Sequence, residues 1–286
     1  MNTTKIAEEK RTALYEIVIP AKDIKARYDI ALKKISQTAD IEGFRKGKAP
    51  LEMVSKTIGH ESIYDQLLQD LVSDVYQKIL EKDSLRPFIS PKIELKNAKE
   101  DEDWVINISI AIEPRVTLPD YKKIIADIRG ETKKDDIWVP GKDEKADAAS
   151  VEKREKFLNA VLRSLIDKTQ IELSPLIIDE EITQRLSRLV DDVRKIGLTI
   201  DAYLRSRQIT QDKIKEEFTK DIIDTYKLEF ALNEIGDKEN ITVEKEEIDT
   251  LLKKLPEKDR HEAEKNSYMY SAMIRKQKII DFLGSS

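Results

Sequence analysis

The residues best suited to recognition chemistry lie together in Gly43-Phe44-Arg45-Lys46-Gly47-Lys48-Ala49-Pro50. This stretch sets one large aromatic beside three cations, Arg45, Lys46 and Lys48, with no acid between Gly43 and Pro50. Gly43 and Gly47 permit backbone angles that other residues resist. Pro50 stiffens the exit into the next element. Such a tip holds no nucleophile and no acid–base pair. Its chemistry is docking: a ring for apolar contact and cations for an anionic surface such as a ribonucleoprotein. A surface loop whose Phe44 tucks back onto its own helices is the other reading that these residue types leave open.

Other chemistry is scarce. The chain has no Cys, which removes disulfides, thiol nucleophiles and Cys-based zinc or iron–sulfur sites. Its two histidines, His60 and His261, are far apart, a poor basis for a His-rich metal site or a Ser-His-Asp triad. His60 follows Gly59 and reads as a capping or surface residue. Asp191-Asp192 and Glu246-Glu247 read as solvated helix faces. No phosphate-cradling glycine motif occurs. Nothing in the residues supports an enzyme or calls for a cofactor.

Charge and hydropathy narrow the setting. Lys and Arg total 51 against 56 for Asp and Glu, a net charge of −5, so a surface that coats nucleic acid throughout is excluded while a local basic patch is allowed. No stretch approaches the ~18 consecutive apolar residues of a membrane span. Met1 to Arg11 is polar and lacks the apolar core of a signal peptide. The expectation is a soluble, cytoplasmic protein with no membrane partner.

Charged residues make up 37% of the chain, with only 8 Gly and 9 Pro, which favours long amphipathic helices over a turn-rich all-β fold. Thr12 to Ile19 alternates as a strand, with Tyr15, Ile17 and Ile19 on its more apolar face. Ala21 to Ala39 reads as a helix, and Leu51 to Ile58 as a short one that stops at Gly59. Glu61 to Lys82 carries Ile63, Leu67, Leu71, Val75 and Ile79 in an i+4 row. Lys92 to Lys96 and Asp103 to Ile112 read as two strands. Residues 1–118 therefore form an α+β domain of ordinary size. The region 119–150 reads as an extended connector, with Ile124, Ile125, Ile128, Ile137 and Trp138 to dock it. Residues 151–286 read as an all-α module whose stripes include Phe157 to Ile166, Ile178 to Val193, Ile214 to Phe230 and Tyr268 to Ile279.

The loop closely resembles the ribosome-docking signature of the trigger factor family, bacterial chaperones of the peptide exit tunnel. There a Gly-Phe-Arg-x-Gly-Lys-x-Pro loop joins two helices of an N-terminal α+β domain. Gly43, Phe44, Arg45, Gly47, Lys48 and Pro50 match its fixed positions, and Lys46 matches a common choice at the variable one. Glu113-Pro114-Arg115-Val116 is similar to the family's exit from that domain. Lys168 to Ile178 and Ile222 to Ile241 resemble the entry to its helical arms and one long arm helix. The main departure is the middle. Family members usually carry an FKBP-like prolyl isomerase domain there, and the 31 residues from Asp120 to Ser150 are too few for one.

The resemblance implies an ATP-independent holdase that docks at the tunnel exit through Phe44, Arg45 and Lys46. Its partners would be ribosomal protein and RNA, and nascent or unfolded polypeptides. A homodimer off the ribosome is left open. Isomerase activity is not carried over. Tyr268, Met269, Tyr270 and Met273, an adaptable cluster on the last helix, are the candidate client contacts. An ordinary core accounts for most other apolar residues of the module. The alternatives are a chaperone of the periplasmic isomerase class and a helical scaffold without a chaperone role.

Overall fold

The computed structural model describes residues 1–99, 102–135, 146–254, 260 and 264–285. The chain divides into two compact units, one of Met1–Pro114 with Leu173–Glu180, the other of Arg115–Glu172 with Glu181–Ser286.

The first unit runs β1 (Asn2–Glu9), β2 (Thr12–Ile19), α1 (Ala21–Thr38), α2 (Leu51–Ile58), α3 (His60–Asp83), β3 (Lys92–Asn97) and β4 (Trp104–Ala111). The strands form an antiparallel sheet in the order β1-β2-β4-β3. One face is a continuous apolar surface. Tyr15, Ile17 and Ile19 of β2 stand opposite Ile108, Ile106 and Trp104 of β4, and all are buried. Against them pack Ile63, Leu67, Leu71, Val75 and Ile79 of α3, with Ile24, Ala31 and Leu32 of α1. Each such side chain contributes roughly 1.5–3 kcal/mol by leaving water. The Tyr15 hydroxyl donates to Asp83 at the end of α3, and burial, then this carboxylate, pushes its pKa up.

The α+β reading of this unit and its element order hold, with one addition. No strand was expected over Met1–Arg11, yet β1 pairs with β2 from Thr12 to Val18. Its sequence hardly alternates, because β1 is an edge strand with mostly exposed side chains. Lys10 and Arg11 take φ of 44° and 58°, so the hairpin turns on two left-handed residues without the Asn-Gly pair that usually signals such a turn.

The second unit pairs β5 (Arg115–Thr117) with β6 (Gln170–Glu172) and is otherwise helical. Its helices are α4 (Tyr121–Asp135), α5 (Ala146–Lys168), the later part of α6 (Pro175–Lys195), α7 (Ile200–Arg207), α8 (Gln211–Lys238), α9 (Lys245–Lys254) and α10 (Ser267–Ser285). Thr199 and Thr210 cap α7 and α8, each accepting a backbone N–H at 3.2 Å. The core joins Val161 and Leu165 of α5, Leu232 and Ile235 of α8, and Ile279 and Leu283 of α10. At Gly236 an added Cβ would lie 2.6 Å from Cδ1 of Ile279, so a side chain there requires Ile279 of α10 to shift.

The extended-connector expectation for 119–150 is corrected over Tyr121–Asp135, which is helix α4. Tyr121, Ile124 and Ile125 are buried in the helical core, and Ile128 packs on it. Their spacing of three, one and three is helical, and the two adjacent helices α5 and α8 supply the apolar partner that makes it pay. Tyr121 also donates to Glu239, which Lys122 meets at 2.8 Å. Burial and that carboxylate push the Tyr121 pKa up to about 12. Ile137, Trp138 and His261 lie outside the described residues.

A linker residue and a core residue respond differently to truncation. Ile124→Ala is expected to cost about 2–5 kcal/mol of unfolding free energy, the range for a buried Ile. Urea denaturation decides, since an exposed linker position would change by less than about 0.5 kcal/mol.

Candidate docking surface

The loop between α1 and α2 is held by backbone contacts. Ile41 is buried and anchors its start. The N–H of Phe44 donates to the Ile41 carbonyl at 3.0 Å, and the N–H of Lys48 to the Arg45 carbonyl at 2.9 Å. These close two successive four-residue turns. Gly43 and Gly47 fall at the third residue of each, with φ of 85° and 74°, the sign a type II turn requires there. The N–H of Gly47 reaches back to the Ala39 carbonyl at 3.1 Å. A Cβ on Gly47 would sit 2.5 Å from the backbone oxygen of Gln37, so only glycine lets the loop fold onto the end of α1. At Gly43 the surrounding space is open, and only the backbone angle argues for glycine. Pro50 then precedes the first turn of α2, its carbonyl accepting from Met53 and Val54 at 3.0 and 3.1 Å.

These constraints present the tip outward. Phe44 is 41% exposed, and Arg45, Lys46 and Lys48 are exposed. Among the described residues none of the three cations has an ion pair. The structure thus brings all of Gly43, Phe44, Arg45, Lys46, Gly47, Lys48 and Pro50 into one short tip, with the ring partly exposed. Sequence reasoning missed two neighbours: Leu51 and Met53 on the first turn of α2 are also exposed. The available signal was that α2 has apolar residues at 51, 53, 54 and 58, more than one face of an eight-residue helix can hide. His60 opens α3 as an exposed residue, and its Nδ1 lies 2.6 Å from the Tyr28 hydroxyl.

The candidate client residues of the second unit lie on α10. Tyr268 is 86% exposed, Met269 and Met273 are exposed, and Tyr270 is half-buried. The helix is fastened behind them: Arg275 donates to the Ile241 carbonyl at 2.9 Å and pairs with Asp237, while Lys278 meets Glu247 at 2.6 Å. Sequence reasoning also missed Ile196 and Leu198, both exposed at the end of α6. Gly197, at φ 76°, ends this helix, and the N–H of Leu198 bonds the Val193 carbonyl at 3.1 Å, a Schellman closure. Apolar residues on both sides of a helix-ending glycine were the signal.

The chain thus combines an α+β unit carrying an aromatic, cationic tip with a helical unit that leaves apolar residues in solvent. The chain belongs to the trigger factor family. The model of the bacterial trigger factor protein matches residues 1–137, and the model of its C-terminus matches residues 142–284. Only residues 138–141 fall between the two matches, so this chain has no middle domain where family members usually carry the isomerase. A trigger factor of Clostridium perfringens is 34% identical over 142 residues, 49% of this chain and 33% of that relative. One of Acidiphilium cryptum is 31% identical over 124 residues, 43% of this chain and 28% of that relative. The chain thus spans about a third of the length of these curated relatives. A solved structure described as "Promiscuous Substrate Recognition in Folding and Assembly Activities of the Trigger Factor Chaperone" has the same fold, with a TM-score of 0.65 at 15% identity over 100% of both chains.

The two loop glycines make separable demands. Gly47→Ala combines a positive φ with a backbone clash and is expected to cost about 1–3 kcal/mol and to speed amide hydrogen exchange across 41–49. Gly43→Ala has only the angle to satisfy and is expected to cost about 1 kcal/mol. Equal exchange in both variants would remove the role given to the Gly47–Gln37 approach.

Proposed function

We propose that this protein is a holdase chaperone that docks on the ribosome near the peptide exit tunnel and shields nascent or unfolded chains. It works in the cytoplasm, without ATP or any cofactor, and without prolyl isomerase catalysis. The observation that carries this reading is the Phe44-Arg45-Lys46 tip, held outward by two glycine turns and unpaired among the described residues. Family membership supports it. A partly exposed ring beside free cations suits a surface of protein and RNA. Phe44 contributes ~1.5–3 kcal/mol if its ring is buried on docking. The cations add attraction that weakens as salt rises.

Clients are held by the helical unit. Its exposed apolar residues, Tyr268, Met269 and Met273 on α10 and Ile196 and Leu198 at the end of α6, are scattered among charged residues. Small apolar patches of this kind bind weakly and many at a time, which lets a chaperone release clients without an energy source. Tyr270, half-buried, contributes less.

Two measurements test the reading. Pelleting with bacterial ribosomes is expected to be lost in a Phe44→Ala, Arg45→Ala, Lys46→Ala triple variant that keeps its circular dichroism, and to weaken with salt in the wild type. Retained pelleting sinks the docking role of the loop. Light scattering of an aggregating client is expected to show weaker protection by Tyr268→Ser, Met269→Ser, Met273→Ser, with no dependence on ATP. The same preparation is expected to leave prolyl isomerisation at its uncatalysed rate of tens to hundreds of seconds.

A further inference from the structure

A third surface lies in the first unit, on the rim of its sheet. β3 is an edge strand, and among the described residues it pairs only with β4. Ile93 stands opposite Ile108 and Leu95 opposite Ile106, so all four side chains share the face that α3 covers. Ile106 and Ile108 are fully buried, whereas Ile93 and Leu95 are 45% and 44% exposed. The helical layer stops short of the last strand. Leu68 and Val72 of α3, one residue on from its buried row, border the gap. With Ile93, Leu95 and Ile106 they line an apolar groove of about 440 Å³.

The opposite face of β3 is charged. Lys92 and Lys96 both approach Glu94, at 3.0 and 2.8 Å. Two ammoniums on one carboxylate leave the strand's own side chains with a positive excess at the rim. An edge strand also carries backbone N–H and C=O groups that point away from its one neighbour, ready to pair with an extended chain. Such a chain alternates its side chains between the two faces.

We propose that β3 and the α3 groove take one extended polypeptide segment as an added strand, with apolar residues at alternate positions in the groove and acidic residues between them beside Lys92 and Lys96. The charge decides between occupants. A second copy of β3 brings the same cationic excess to the rim, while an acidic strand brings the complement. The register shift between Leu95 and Asn97 interrupts the edge, so the added strand is short and its binding weak and reversible. This site is distinct from the loop and from α10. It rests on the chaperone reading only for the source of the segment, an unfolded client.

Fluorescence anisotropy of the full chain with a labelled peptide of alternating Val and Glu tests it. Saturable binding is expected, weakened about tenfold or more by Ile93→Glu with Leu95→Glu, both at exposed positions. Lys92→Glu with Lys96→Glu is expected to weaken the Val-Glu peptide and to strengthen an alternating Val-Lys peptide, a swap that loss of fold cannot produce. Unchanged affinity in either variant overturns the site. So does sedimentation showing a dimer that Ile93→Glu with Leu95→Glu abolishes while peptide binding persists, since the rim then belongs to a second copy. Ribosome pelleting is expected to be unchanged in both variants, which keeps this test separate from that of the loop.

Discussion

One helix row organises the first unit. Ile63, Leu67, Leu71, Val75 and Ile79 of α3 recur every four residues and lie on the face shared by β2 and β4. A helix is about 10–12 Å across with its side chains, and neighbouring strands lie about 4.8 Å apart, so one helix covers roughly two strands. The two middle strands are therefore buried on that face and the two outer strands are rims. This single constraint explains why β1 reads as polar, why β3 keeps Ile93 and Leu95 in solvent, and why α1 must pack beside α3 to finish the core.

The Gly43–Pro50 loop depends on the same frame. α1 and α2 both pack on the core, through Ala31 and Leu32 and through Val54, so the ends of the loop are fixed. Between them the chain turns twice, with a glycine at each position of positive φ. Among the described residues the three cations make no ion pair. They are positioned by backbone hydrogen bonds beneath them. A tip held this way loses little conformational entropy on binding, which is how a small contact becomes useful.

The helical unit follows another logic. Its core is assembled from segments distant in sequence: α4, α5, α8 and α10 each give one apolar stripe. Gly236 lets α8 and α10 close up, and Arg275 and Lys278 tie the last helix to the end of α8 and to α9. With that face committed to the core, Tyr268, Met269 and Met273 remain on the solvent side. The 37% of charged residues in the chain surrounds this apolar surface with solvated groups.

The local signals were legible. The alternation of β2 and β4, the i+4 row of α3, the proline before α2 and the glycine loop all depend on neighbours within a few residues. Sequence alone determined those elements, the α+β then all-α order, and the grouping of one aromatic with three cations in Gly43 to Pro50. Only the tertiary structure decided what covers each apolar face. β1 exists because β2 offers it hydrogen bonds. α4 is a helix rather than a connector because α5, α8 and α10 bury Tyr121, Ile124 and Ile125. Leu51, Met53, Ile93, Leu95 and Ile196 are exposed because no described element reaches over them. Periodicity states which side of an element is apolar. Whether water or another element meets that side is set by contacts between residues far apart in the chain, and these leave no periodic trace in it.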